Sequence, residues 1–137
     1  MKVFLAGAAG AIGARLVPLL VAAGHEVTGT TRSPERAESI RAAGATPAVV
    51  DALDADAVRS AVEQAAPEVV IHQLTSLPER FNPAKRHGND ATNRIRREGT
   101  RNLLAAARGA GARRFVCQSV AFAYAPGAAA DHGEAAL

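Results

Sequence analysis

Lys2-Val3-Phe4-Leu5-Ala6 is a short apolar strand that runs directly into Gly7-Ala8-Ala9-Gly10-Ala11-Ile12-Gly13, with glycines at i, i+3 and i+6, and a helix-like stretch follows. In that order of strand, turn and helix each glycine has a separate task. Gly7 makes the tight turn out of the strand, Gly10 lets the backbone approach a pyrophosphate, and Gly13 lets the new helix lie close to the sheet. The N–H groups of such a helix start, at the positive end of its dipole, face phosphates. Gly7, Ala9, Gly10, Ala11, Ile12 and Gly13 are therefore the expected phosphate-binding residues. Glycines also fill ordinary turns; the cradle reading is favoured because strand, turn, helix and next strand stand in the required order.

Downstream, β and α patterns alternate with short connections, the signature of a parallel sheet covered by helices on both faces. Strands are expected near 2–6, 26–30, 47–50, 69–74 and 114–119, and helices near 11–23, 34–43, 54–65 and 90–109. Gly24, Gly44 and Gly111 lie just past three of these helices as stop signals. Ser33-Pro34-Glu35 is a helix start, an N-cap followed by proline at the first helical position. Pro18 should kink the first helix, since it removes the bond to Ala14. The expected fold is α/β: a doubly wound parallel sheet of about five strands between two helix layers. That is one strand short of the six in the order 3-2-1-4-5-6. Residues 125–137 carry no strand signal and read as a flexible tail.

The glycine spacing is GxxGxxG, and it resembles the extended and atypical short-chain dehydrogenase/reductases, including NAD-dependent epimerase/dehydratases and NmrA-like proteins. Other stretches carry the same resemblance in family order. Asp51-Ala52-Leu53-Asp54 is similar to the segment in which a carboxylate and the following backbone groups meet the adenine. Val69-Val70-Ile71-His72-Gln73-Leu74-Thr75 resembles the fourth strand, and Gly99-Thr100-Arg101-Asn102-Leu103-Leu104-Ala105-Ala106-Ala107 the GTxNLLxAA helix. Arg113-Arg114-Phe115-Val116-Cys117-Gln118-Ser119 resembles the RFVxxS fifth strand. The matches span residues 2 to 124 and imply a Rossmann NAD(P)-binding domain there, adding Asp51, Ala52, Leu53, Leu74 and Thr75 to the cofactor-binding set. In that family the chain continues well beyond this point into the remaining strand and a substrate-binding part, so this chain is expected to be either a truncated chain or one half of a site.

Composition agrees. The 137 residues suffice for one domain with a real core. Hydrophobic residues make up 48% but aromatic ones only 4%, which suits helices packed closely on a sheet and argues against disorder. The lone Cys117 stands in an apolar strand and reads as a buried thiol in a reducing compartment. Lys2 and the apolar stretch after it could be taken for a secretory leader, but glycines and Arg15 interrupt it, and its removal would delete the first strand. The longest apolar stretch, between Arg15 and His25, includes Pro18 and falls short of the ~20 residues of a membrane span. A cytoplasmic location with no membrane partner is expected.

The formal charge of +3 invites a nucleic-acid reading, because Arg94, Arg97, Arg101 and Arg108 share one helix face. No stacking aromatics interleave with them, and Ile95, Leu103 and Ala106 opposite explain an ordinary amphipathic surface helix. No nucleic-acid partner is therefore expected. Nor does any histidine, cysteine or carboxylate cluster show metal-ligand spacing, so no metal is expected.

Cofactor choice should be legible at the end of the second strand, where a carboxylate would hold the adenosine ribose of NAD. Thr30-Thr31-Arg32-Ser33 stands there instead, with Arg32 22 residues after Gly10. A guanidinium offers a bidentate grip on a 2′-phosphate, and the Ser33 hydroxyl can donate to it. NADP is favoured; Glu35 and Glu38 on the following helix keep NAD open.

The reductive chemistry of the resembled family uses a Ser or Thr after the fifth strand, plus a YxxxK pair whose lysine lowers the tyrosine pKa. Ser119 matches the first role, although a hydroxyl satisfying backbone at a strand end is an equal alternative. The only tyrosine, Tyr124, is followed at i+4 by Ala128, and the only lysines are Lys2 and Lys85, so no YxxxK exists. Tyr124 either lines the nicotinamide side of the cleft or simply packs. His72 reads as a hydrogen-bonded core histidine. Asn93 stands six residues before Gly99, where the family places its asparagine three before, at Arg96 here.

Three function classes follow. The first is the NAD(P)-binding domain of an oxidoreductase or epimerase/dehydratase acting on a small molecule. The second is a non-catalytic NADP-binding redox sensor, favoured by the absent YxxxK. Nucleic-acid binding is third. An incomplete sheet also leaves a fifth-strand edge open for pairing with a second copy.

Overall fold

The apolar run Val3-Phe4-Leu5-Ala6 is buried along its whole length, as in a strand covered on both faces, and it forms β1 (Lys2–Ala6) at the centre of the sheet. The computed structural model describes residues 1–76 and 90–119; Tyr124, Lys85 and the 125–137 tail lie outside them. The elements that follow are α1 (Gly13–Ala22), β2 (Glu26–Thr31), α2 (Pro34–Ala42), β3 (Thr46–Val49), α3 (Ala55–Ala65) and β4 (Val69–His72). Next come α4 (Asp90–Arg94), a π-helical turn (Ile95–Gly99), α5 (Thr100–Gly109) and β5 (Arg114–Cys117). The five strands form one sheet in the order β3-β2-β1-β4-β5. Every pairing is parallel, with Lys2 opposite Glu26, Val3 opposite Val69, Thr28 opposite Thr46 and Val69 opposite Arg114.

Alternation along β1 sorts the core into two layers. Phe4 and Ala6 pack with Val58, Val62, Val70, Leu103, Ala106 and Ala107 on the face covered by α3 and α5. Leu5 packs with Val17, Val27 and Ile40 on the face covered by α1 and α2. This is the expected three-layer α/β arrangement, with helices on both sides of a parallel sheet.

Boundaries depart from the sequence reading at a few places. The first helix begins at Gly13, because residues 7–12 are taken up by the turn, and it runs on through Pro18. The expected helix over 90–109 is interrupted by the π-helical turn at Ile95–Gly99, where both end residues are buried. Ser33 is the N-cap of α2 with proline following, as expected, but its side chain does not cap the helix. Gly24, Gly44 and Gly111 all have positive φ, consistent with their reading as helix stops. The corresponding residue after α3 is Ala66, left-handed at φ 44°.

Cys117 corrects an expectation: it is exposed, not buried. β5 is an edge strand with β4 as its one neighbour, so its residues lack the cover that central strands receive, and three of its four are exposed.

Candidate functional site

All five strands end on the same side of the sheet, and the chain leaves β1 and β4 in opposite directions there, the crevice in which open parallel sheets bind ligands. A cleft of ≈ 270 Å³ opens at that place. Its walls come from the turn after β1 (Gly7, Ala9, Gly10, Ala11, Ile12), the end of β2 (Thr30, Thr31, Arg32) with Arg36 of α2, and Val50, Asp51 and Ala52 after β3. Gln73, Leu74 and Thr75 after β4, Ile95, and Gln118 after β5 complete it.

The turn after β1 is built for close approach. Gly7 has φ +92°, and a β-carbon there would lie 3.1 Å from the Gln73 backbone. At Gly13 a β-carbon would stand 2.1 Å from the Gly7 carbonyl oxygen, so the helix start can lie against the turn only as glycine. Thr30 fixes the turn from the next strand: its hydroxyl accepts from the Gly7 N–H at 3.1 Å, and its carbonyl from the Ala8 N–H at 3.0 Å. The N-terminus of α1 has no side-chain cap and no acidic residue in its first turn. Among the described residues, the N–H groups of Ala11, Ile12 and Gly13 have no backbone acceptor. Helix α3 shows the contrast, since the Asp54 carboxylate accepts from the N–H groups of Asp56 and Ala57 at 3.1 and 3.0 Å. Free N–H groups at an uncapped helix start, at the positive end of its dipole, suit an anion. The observed geometry therefore fits a pyrophosphate.

At the β2 end, Arg32 and Arg36 both line the cleft, and both are exposed. Ser33 does not line it: its hydroxyl donates to the Glu35 carboxylate, which holds that carboxyl below its ordinary pKa. Glu38 pairs with Arg41. Neither acidic residue of α2 is among the lining residues, so the charge offered at this end is cationic.

Across the cleft, one Asp51 carboxylate oxygen accepts from the Leu53 N–H at 3.0 Å. Asn102 donates its side-chain amide to the Ala52 carbonyl at 2.9 Å, so the α5 helix holds the loop after β3 in place. Asp51 and Ala52 line the cleft, whereas Leu53 does not. On the β4 side, the Gln73 N–H donates to the Ala6 carbonyl at 2.9 Å, and the Gln118 N–H to the His72 carbonyl at 3.1 Å. His72 is a core histidine as expected, 2% exposed; burial, followed by the charge of Arg96, pushes its pKa below the ordinary value. Ser119 follows Gln118 as an exposed residue.

Of the thirteen residues named from sequence for the cofactor, the cleft gathers Gly7, Ala9, Gly10, Ala11, Ile12, Arg32, Asp51, Ala52, Leu74 and Thr75. Gly13 serves the same turn by packing. Arg36 was missed because a lone arginine in a charged surface helix carries no distinguishing pattern; its place in the first turn of the helix that follows Arg32 was the available signal. Asn102 was missed because its partner is fifty residues away in sequence. Thr92 and Ile95 are buried, while Asn93 is exposed. Arg94, Arg97, Arg101 and Arg108 are exposed as well, opposite buried Ile95, Leu103 and Ala106.

Residues 7–136 match a family model described as NAD(P)H-binding. The chain is 51% identical over 128 residues to a 3-diazoavenalumate denitrifying reductase of a Streptomyces species, a match that takes in 92% of this chain and 40% of the relative. Among solved structures, a putative epimerase from Burkholderia cenocepacia J2315 superposes with a TM-score of 0.77 at 32% identity, over 99% of this chain and 43% of that one. The UDP-glucose 4-epimerase of Thermus thermophilus, solved with NAD, gives 0.68 at 28% identity, over 84% of this chain and 36% of that one. The chain thus spans well under half the length of these proteins.

Proposed function

The chain belongs to the NAD(P)H-binding family, and from that premise we propose that its cleft holds NADP in preference to NAD, as the cofactor-binding part of an oxidoreductase or epimerase acting on a small molecule. The likeness to a named reductase and to epimerases supports the reaction class. The observation that carries the cofactor preference is the pair Arg32 and Arg36 on the cleft wall, with Glu35 engaged by Ser33 and Glu38 by Arg41. Two guanidinium groups at the ribose end suit a dianionic 2′-phosphate, and no carboxylate of α2 lines the cleft to bind free ribose hydroxyls.

In this reading the Gly7–Gly13 turn and the uncapped start of α1 bind the pyrophosphate, while Asp51 and Ala52 meet the adenine. Leu74 and Thr75 bound the nicotinamide ribose. Bound there, the cofactor supplies hydride chemistry. Ser119, exposed beside the cleft residue Gln118, orients a substrate oxygen. With no YxxxK in the sequence, proton transfer by a tyrosine–lysine pair is not assigned to this chain.

Titration with NADPH and NADH tests the reading. The expected outcome is tighter NADPH binding, weakened about tenfold by Arg32→Ala and by Arg36→Ala singly, each with NADH changed less than about twofold. Equal affinity of the unaltered chain for the two nucleotides would sink the NADP preference, and absence of binding to either would sink the cofactor reading.

A further inference from the structure

β4 ends at His72, and the next residues leave the sheet to line the cleft. The Gln73 N–H still finds a strand acceptor in the Ala6 carbonyl. The Leu74 N–H does not, and a buried or half-buried N–H without an acceptor is costly. Its acceptor is the ring of His72: the Leu74 N–H donates to Nδ1 at 3.1 Å. The Ser76 N–H donates to the Thr92 hydroxyl at 3.2 Å, so Thr75 is held between two anchored neighbours. The His72 carbonyl meanwhile accepts from the Gln118 N–H. One buried residue thus ties down the segment carrying Leu74 and Thr75 with its side chain and Gln118 with its backbone, and all three line the cleft.

An imidazole nitrogen accepts a hydrogen bond only when it carries no proton. We infer that His72 is a positioning residue of the nucleotide cleft, whose neutral Nε2–H tautomer presents Nδ1 to the Leu74 N–H and so fixes the Leu74–Thr75 wall against the bound cofactor. This deepens the NADP reading above and rests on it. His72 is 2% exposed, and Nε2 has no hydrogen-bond partner among the described residues, so the bond to Leu74 is the ring's hydrogen bond there.

Two substitutions separate acceptor from bulk. Asparagine at a turn accepts from the N–H two residues on, the geometry that His72 uses here, whereas leucine fills space without an acceptor. In the 137-residue chain, two-bond 1H–15N spectra should show the His72 ring protonated at Nε2 alone. His72→Asn should bind NADPH within about threefold of the unaltered chain, whereas His72→Leu should bind about tenfold more weakly and exchange the Leu74 amide faster. A ring protonated at Nδ1 overturns the inference. So does equal weakening by both variants, which would make the role one of packing, or undiminished NADPH binding by His72→Leu. If His72→Leu fails to fold, the tautomer and His72→Asn still decide. Should the unaltered chain bind no NADPH, the cofactor reading falls, while the tautomer and the Leu74 exchange rate separately report whether the ring holds the turn.

Discussion

Gly13 has no room for a β-carbon, because the atoms it would strike, the Gly7 carbonyl oxygen and the Ala8 backbone at 2.1 to 2.8 Å, are main chain and cannot rotate away. Gly13→Ala should destabilise the chain by about 3 kcal/mol, at the upper end for overpacking, and should abolish nucleotide binding even where the protein stays folded. Urea denaturation and a parallel NADPH titration measure both. This residue was legible from spacing alone, since a helix leaving a strand through a glycine turn must pack against it. Gly29 and Thr30 were not. A β-carbon at Gly29 would lie 2.6 Å from that of Ala8, and the Thr30 hydroxyl reaches Gly7; both depend on which strand stands beside β1. His72 adds a titration at the same scale. Its folded pKa lies below the ordinary value of about 6.5 through burial first and Arg96 second; Cys117 is its register partner on β5. The unfolded chain therefore binds the proton more readily, and stability must fall as pH drops from about 6.5 toward the folded pKa, with a plateau above. Chemical denaturation at a series of pH values should show that slope, and His72→Asn should flatten it.

At the scale of elements, α3 shows how much of a helix is written locally and where local rules give out. Its start was readable: Asp54 stands before an apolar-periodic run and caps it through two backbone N–H groups. Its end departs from the pattern of the other helices. Ala66 takes the left-handed conformation, φ 44° and ψ 55°, that glycine adopts after α1, α2 and α5. An alanine there carries a steric cost that glycine does not, partly offset by the greater freedom of glycine in the unfolded chain. Ala66→Gly should stabilise by about 0.5–1 kcal/mol, raising Tm by about 3 °C. A thermal melt with unchanged or lower Tm would show that the residue is unstrained. The π-helical turn at Ile95–Gly99 was not legible, because one added residue in a turn leaves the composition and the apolar periodicity around it almost unchanged. It matters to the site all the same, since Ile95 reaches the cleft from it.

For the molecule as a whole, strand order and layering followed from the alternation of β and α segments, since short connections and right-handed crossovers leave few other arrangements. The two edges of the sheet were less legible. Both β3 and β5 carry an exposed apolar residue near their ends, Val49 at 53% and Val116 at 48%, yet they are defended differently. β3 carries Pro47, which lacks the N–H a new strand would need, whereas β5 has none and shows, among the described residues, no strand on its outer side. Self-association of the purified chain should therefore run through β5. Val116→Lys should shift sedimentation toward monomer across a concentration series, since a charge on an open edge opposes pairing, while Val49→Lys should leave the profile unchanged. An equal shift from both substitutions would mean that general surface charge governs association. A profile insensitive to Val116→Lys would instead place the contact away from the β5 edge.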